Sequence, residues 1–260
     1  MPAPRSSDAD PNGNGTQAIR RAAAILRRIV QADSQGVGLS AIIESVKLPR
    51  STAHRILKCL VEEGFVRHDQ EKRRYLIGRL THELSLSVTS DTFGVSRWRD
   101  AVDRVAQRTG VTCYLLSRSG IEAVCLLKTE GNAAIRVIPV EVGQRRLLGV
   151  GAGSTALLAA LDPATCEHVI KAIVPLLPDN SSLTAAAVRR MVDEARATGF
   201  AVSRSNVVRD AIGVGMAIPS AAGNPTLALS VAGLASQADD AVVTRWKQII
   251  KSEIEAVISA

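Results

Sequence analysis

The sequence predicts an α+β protein of two domains. A small winged helix-turn-helix comes first, followed by a larger six-stranded, mainly antiparallel sheet flanked by helices. Three observations lead there. Residues 16–78 run helix, helix, turn, helix, hairpin. After residue 110, short apolar runs separated by turn residues alternate with amphipathic helical stretches. The charge is also uneven: residues 1–80 hold 14 Lys+Arg and 8 Asp+Glu, a surplus of +6, while the other 180 residues hold 18 and 17, a surplus of +1. A basic small module joined to a nearly neutral larger one suits contact with a polyanion.

The elements follow in chain order. Residues 1–15, "MPAPRSSDADPNGNG", are rich in Pro, Gly, Asn, Ser and Asp and read as a disordered tail with no secretory apolar core. No apolar run approaches the roughly 20 residues that span a bilayer. Thr16 is placed to cap a first helix with apolar Ile19, Ala22, Ala23, Leu26, Ile29 and Val30 at helical spacing. Gly36 and Gly38 break the chain, and Ser40 is placed to cap a short second helix. Lys47-Leu48-Pro49 then turns, because the residue before a proline is pushed out of helical geometry.

The third helix, from about Pro49 to Glu63, buries Ala53, Ile56, Leu57 and Leu60 as one stripe. Arg50, Ser51, His54, Arg55 and Lys58 fall on the opposite face, with Thr52 beside them. Gly64 stops the helix. "FVRH" and "RRYLIG" form a hairpin whose tip carries Lys72, Arg73 and Arg74. Forked guanidinium donors and hydroxyls on one helix face can enter a DNA major groove, and a charged wing can lie on the phosphates. A solvated helix face with a surface hairpin would show the same charge run. The turn before the helix, the wing after it and the charge surplus together favour double-stranded DNA as the partner.

Residues 79–95 predict a linking helix, interrupted at "TSDTFG", and the second domain spans 96–260. A helix over Val95–Arg108 precedes three strands: "VTCYLLSR", "IEAVCLLKTE" and "AAIRVIPVEV". A glycine-rich loop opens a helix at "GVGAGSTALLAAL", and two further helices end at Gly199. Strands "FAVSR", "GVGMAIPSA" and "TLALSVAG", with "AGNP" joining the last two, lead to a C-terminal helix from about Asp239 to Ile258.

Gly151, Ala152 and Gly153 leave their amides approachable at a helix start, where free N–H groups and the dipole attract an anion. Ser154 or Thr155 adds a hydroxyl there. A carboxylate ligand would suit the place, and so would no ligand at all, since tight small-residue loops are common. The Walker pattern is absent.

Catalysis needs an activated nucleophile or a positioned acid–base pair. No G-x-S-x-G elbow, paired carboxylates or metal-ligand spacing occurs in the second domain, so no enzyme, cofactor or metal is expected. Cys59, Cys113, Cys125 and Cys166 form no C-x-x-C pair and read as reduced thiols. Three function classes remain: a ligand-responsive DNA binder, a DNA binder with a ligand-free second domain, and a small-molecule enzyme that would leave the basic module idle.

"LSAIIESVKLPRSTAHRILKCLVEEGFVRHDQEKRRYLIG" resembles the winged helix-turn-helix of the IclR family of bacterial transcription regulators. The "LPRSTAHRIL" run, "EGFV" and "YLIG" carry the match, and the likeness continues through the second domain. It implies an effector domain with architecture like GAF and PAS sensors, a small organic or aromatic acid as ligand, and a homodimer or homotetramer. One helix-turn-helix reads only a half-site, which also requires at least a dimer.

The resemblance places DNA contacts at Ser40 and along Arg50–Lys58. Gly151 and Ala152 match its loop contacts, Ser230 a hydroxyl on the last strand, and Ser205 and Gly215 lie near further pocket positions. This chain departs from the family's proline at Leu147, its histidine near Gly149, its basic residue at Ser154 and a second hydroxyl at Ala232.

Overall fold

The computed structural model describes residues 16–32, 35–87, 95–134, 140–178, 183–205, 209–220 and 225–260. The expected tail, the "TSDTFG" break and most of the "AGNP" turn lie outside them. The chain divides into two compact units, residues 1–89 and 90–260.

In the first unit, helices α1 (Gln17–Val30), α2 (Leu39–Val46) and α3 (Arg50–Glu62) pack around Ile25, Ile42 and Leu57, each 0% exposed. The strands are β1 (Val37–Gly38), β2 (Val66–Asp69) and β3 (Arg74–Ile77), and they pair antiparallel in the order β1-β3-β2. Helix α4 (Arg79–Ser87) follows.

Local details differ from expectation. The Thr16 side chain makes no cap bond, and α2 starts from Gly38, so Ser40 sits exposed in its first turn. Pro49 is the extended residue before α3 (φ −56°, ψ 141°) and not part of its first turn. The Gly36–Gly38 break contains β1, whose two residues pair with Tyr75 and Arg74. Gly36 has φ +75°, a left-handed value that glycine takes freely.

In the second unit, a 3-10 turn at Ser96–Trp98 precedes α5 (Arg99–Thr109), which ends at Gly110. Strands β4 (Thr112–Ser119), β5 (Glu122–Thr129) and β6 (Arg145–Leu147) lead to α6 (Ala152–Ala159) and α7 (Pro163–Ile173). Helix α8 (Ala185–Thr198), strands β7 (Ala201–Arg204), β8 (Ala211–Ala217) and β9 (Leu227–Leu234), and helix α9 (Asp240–Ile258) complete it. The sheet order is β6-β5-β4-β9-β8-β7 and every pairing is antiparallel.

Half of the expected third strand, "AAIRVIPVEV", lies outside the described residues. Residues 135–139 lie outside the described set, its remaining residues are not in strand, and the sixth strand is Arg145–Leu147, from the stretch read as loop. Thr184 and Asp239 cap α8 and α9: each side chain accepts an N–H from the first turn, Ala187 and Val242 respectively.

Alternation along each strand separates two cores. Leu115, Val214, Leu229 and Val231 pack on one face against Trp98, Val105, Trp246 and Ile250 of the α5–α9 layer. Tyr114, Leu116, Cys125 and Ala228 pack on the other against Leu157, Ile170 and Val188 of the α6–α8 layer. The α5–α9 layer is also pinned electrostatically. Glu253, 6% exposed, accepts from Arg104 Nε at 2.8 Å and Arg108 Nη1 at 2.7 Å. Burial pushes its carboxyl up, and the two guanidiniums more than offset this, so the folded pKa is lowered.

A lowered acid pKa stabilises above the unfolded value and is lost as pH falls through the folded one. The Glu253→Gln variant is therefore expected to be less stable than the parent near neutrality and to converge with it in acid. Both arginines are about half exposed, so the gap is expected to be modest. Parallel melts from pH 7 down to 3 check it, and a constant gap would sink the assignment.

Candidate functional site

Helix α3 shows two faces. Ala53, Leu57 and Leu60 are buried, while Arg50, Ser51, His54, Arg55 and Lys58 are exposed and Thr52 is half-buried. The outward row meets the first condition for groove entry: it is not engaged by the unit's own core. Lys58 stands 3.7 Å from Glu62 in an exposed pair, which water and salt weaken.

The wing is a shaped turn. Asp69 Oδ1 accepts the Lys72 N–H at 3.0 Å, and Arg73 adopts φ +52°. The backbone bond to Asp69, together with the nearby cations, holds the Asp69 carboxyl below its ordinary pKa. Lys72 and Arg73 are exposed. Arg74 behaves differently: its Nη1 donates to the Gly36 carbonyl at 2.8 Å, tying β3 to the start of β1. Its guanidinium is partly spent on the fold.

The second unit holds a cavity of about 60 Å³ between the sheet and the start of α6. At about 10–15 Å³ per ordered water, it has room for a few waters or a small molecule. Gly151, at φ +92°, turns the chain into α6, whose residues Ala152–Leu158 are all buried. Such a buried helix needs small residues where it crosses the sheet. A Cβ on Gly153 would come within 2.8 Å of Ser230 Oγ, and one on Gly215 within 2.7 Å of the Ala152 backbone. Glycine therefore lets α6 sit directly on β8 and β9.

The amides of Ala152, Gly153 and Ser154 have no preceding helical carbonyl to bond; the first helical bond runs from Thr155 N to Gly151 O at 2.9 Å. Ser154 is less available than its position suggests, because its hydroxyl donates to the Val150 and Gly151 carbonyls.

Of the residues expected at an effector site, Gly151, Ala152, Gly153, Ser154 and Ser230 line the cavity. Leu147, Ser205 and Gly215 do not. Leu147 pairs with Glu122 of β5, Ser205 is exposed at φ +55°, and Gly215 is covered by α6. The sequence reading missed three polar lining residues: Arg146, Tyr114 and Ser203.

Arg146 is the important one. Its neighbour Arg145 turns outward to Glu122 (2.8 Å) and Ser119 (2.8 Å). Arg146, opposite Ala123, faces the cavity. Its Nε is buried without a hydrogen-bond partner, and burial lowers its pKa from the ordinary arginine value. The available signal was a pair of adjacent arginines inside an apolar run; without β6 as a strand, nothing showed which one turned inward.

Ser203 and Ser230 are each 6% exposed and line the cavity. Burial raises the pKa of Tyr114 and so keeps its phenol neutral. No acidic residue lines the cavity.

The described cysteines are free. Burial pushes Cys125 up to about 12 and raises Cys113 as well, which leaves both as thiols. No cluster of three or more His, Cys, Asp or Glu suits a metal among the described residues, and no described helix is long and apolar enough to cross a membrane.

Comparison with known proteins agrees with both units. Residues 18–70 match the IclR helix-turn-helix domain and residues 95–258 match the bacterial transcriptional regulator IclR C-terminal domain. The glycerol operon regulatory protein of Streptomyces coelicolor is 30% identical over 194 residues, covering 71% of this chain and 72% of that protein. The transcriptional repressor AllR of Klebsiella pneumoniae is 24% identical over 223 residues, covering 86% and 82%.

Among solved structures, an IclR transcriptional regulator from Alicyclobacillus acidocaldarius superposes with TM-score 0.76 at 22% identity, covering 93% of this chain and 97% of that one. An IclR homologue from Microbacterium hydrocarbonoxydans, complexed with 4-hydroxybenzoate, gives 0.70 at 20% identity, covering 94% and 100%. With both domain matches in place and a winged helix-turn-helix and curled six-stranded sheet observed, the chain belongs to the IclR family of DNA-binding bacterial transcriptional regulators.

Proposed function

We propose that this regulator binds operator DNA as a homo-oligomer and that a small organic acid, held in the cavity beneath α6, alters that binding. The observation carrying the acid is Arg146: a cavity-facing guanidinium whose buried Nε has no partner. A partly buried guanidinium with an orphaned N–H is costly, and a carboxylate is a ligand that removes the cost. The α6 amides with Ser203 and Ser230 add neutral donors. A solved IclR homologue of the same fold is complexed with 4-hydroxybenzoate, itself an acid, which supports this reading.

On the DNA side, Arg50, Ser51, Thr52, His54 and Arg55 read the major groove, with Ser40 and Lys58 at its edges. Lys72 and Arg73 hold phosphates. Arg74 adds a cation but serves first as a strut to Gly36. Exposed Ile19 and Val30 on α1, and Leu84 and Leu86 on α4, supply apolar surface for pairing two chains. The segment 79–95 links the two domains. The acid shifts the DNA-binding state only by the difference in its affinity for the two arrangements.

Operator binding by variant proteins tests the DNA assignments. Arg55→Ala is expected to lose about 1–3 kcal/mol at particular base pairs and to relax preference there. Alanine at both Lys72 and Arg73 is expected instead to weaken all sequences alike and to shallow the salt dependence by about one unit per lost phosphate contact. Unchanged base preference in the first, or an unchanged slope in the second, removes the corresponding role. For the acid, a titration in which no carboxylate alters operator binding would overturn the effector reading.

A further inference from the structure

We infer, resting on the acid-sensing reading above, that the effector is a short dicarboxylate rather than a monocarboxylate. The cavity offers two separate places for negative charge. One is the guanidinium of Arg146 on β6. The other is the start of α6, where the amides of Ala152–Ser154 lie beside the hydroxyl of Ser230, a residue 6% exposed that lines the same cavity.

These places belong to different parts of the sheet face. β6 and β9 are separated by β5 and β4. Along β4, Ser230 stands opposite Tyr114, whereas Arg146 is in the row of Ala123 and Arg118. Four residues of strand separate these rows, about 13 Å along the strands, and three strand spacings, about 14 Å, separate β6 from β9 across the sheet. The long Arg146 side chain closes part of that gap and leaves a span suited to a short linear molecule. Leu116, Val140 and Val150 line the same cavity and suit an apolar middle.

The charge balance points the same way. Among the described residues no wall residue is acidic, so no carboxylate of the described lining neutralises Arg146 or the helix end. Arg118, on the other side of Ala123, also has a buried Nε without a partner. The field at the β6 end is therefore more positive than one guanidinium would make it. A monocarboxylate satisfies one end and leaves the other to water. A diacid satisfies both.

The experiment is calorimetric titration of the full-length chain with malonate, succinate and glutarate. The tightest is then compared with its own monomethyl ester, with the monocarboxylate of equal chain length and with 4-hydroxybenzoate. The ester keeps length and shape and removes one charge. The diacid is expected to bind about tenfold or more tightly than the ester, the usual worth of one charge-assisted contact. Arg146→Met is expected to reduce that ratio to near one while tryptophan fluorescence shows the second unit folded. Should that variant unfold, the ratio on the unaltered protein still decides.

An ester or 4-hydroxybenzoate that binds as well as the diacid overturns the dicarboxylate assignment and leaves acid sensing in place. If none of these acids binds saturably, both are lost.

Discussion

Leu57→Ala is expected to cost the N-terminal unit about 2–5 kcal/mol, the range for emptying a well-packed aliphatic site. Leu57 is 0% exposed and sits among Ile25, Ile29, Ile42, Val66 and Tyr75. Those residues come from α1, α2, α3 and the wing, so a hole at Leu57 loosens every contact that aims the outward face of α3. Domain stability is typically about 5–15 kcal/mol, and this loss is a large part of it.

The consequence is separable. Both tryptophans, Trp98 and Trp246, lie in the second unit. Tryptophan fluorescence is therefore expected to melt as in the parent, while a helical circular-dichroism transition moves to lower temperature and operator binding is lost. Tight operator binding by a destabilised Leu57→Ala protein would mean that α3 is not the reading element.

Gly215→Val is expected to do the reverse. Even a Cβ at this position would lie 2.7 Å from the Ala152 carbonyl carbon and 2.8 Å from the Gly153 Cα. Both are backbone atoms, which cannot rotate away as a side-chain tip can, so α6 must lift from the sheet. Overpacking of this kind costs about 1–3 kcal/mol and occasionally more. The tryptophan-reported melt should fall, and acid binding should weaken, because the α6 amides and Ser230 lose their shared position. The N-terminal unit should keep its own transition and its DNA contacts in the absence of acid. Unchanged acid affinity in Gly215→Val would place the ligand elsewhere than under α6.

How much of this was legible beforehand differs between the units. In the first, a helical stripe with Ala53, Leu57 and Leu60 inward leaves Arg50, Ser51, His54, Arg55 and Lys58 outward by geometry alone, and the structure shows that division. Capping was less predictable. The backbone at Thr16 and Ser40 did not place either hydroxyl against a first-turn amide, a choice made by how the chain enters the helix rather than by residue type. Arg74 read as a free wing cation until β1 placed the Gly36 carbonyl within its reach.

In the second unit six strands were expected and six occur among the described residues, one of them, β6, in a stretch read as loop. The three residues of β6 are too short a run to show a period of two, and they sit in a glycine-rich stretch. Reading β6 as loop mattered functionally, because a strand assigns its neighbours to opposite faces, and Arg145 and Arg146 have opposite fates.

Composition, periodicity and turn chemistry by themselves determined the two-domain order, the outward face of α3, the basic wing and the small-residue opening of α6, since each depends on neighbours along the chain. Only tertiary structure decided that Arg146 faces the cavity unpartnered, that Ser203 and Ser230 join it, and that Leu147, Ser205 and Gly215 stay out of the cavity wall. Those facts arise from strands brought together across more than 80 residues of sequence, where cross-strand register rather than local spacing sets which side chains meet.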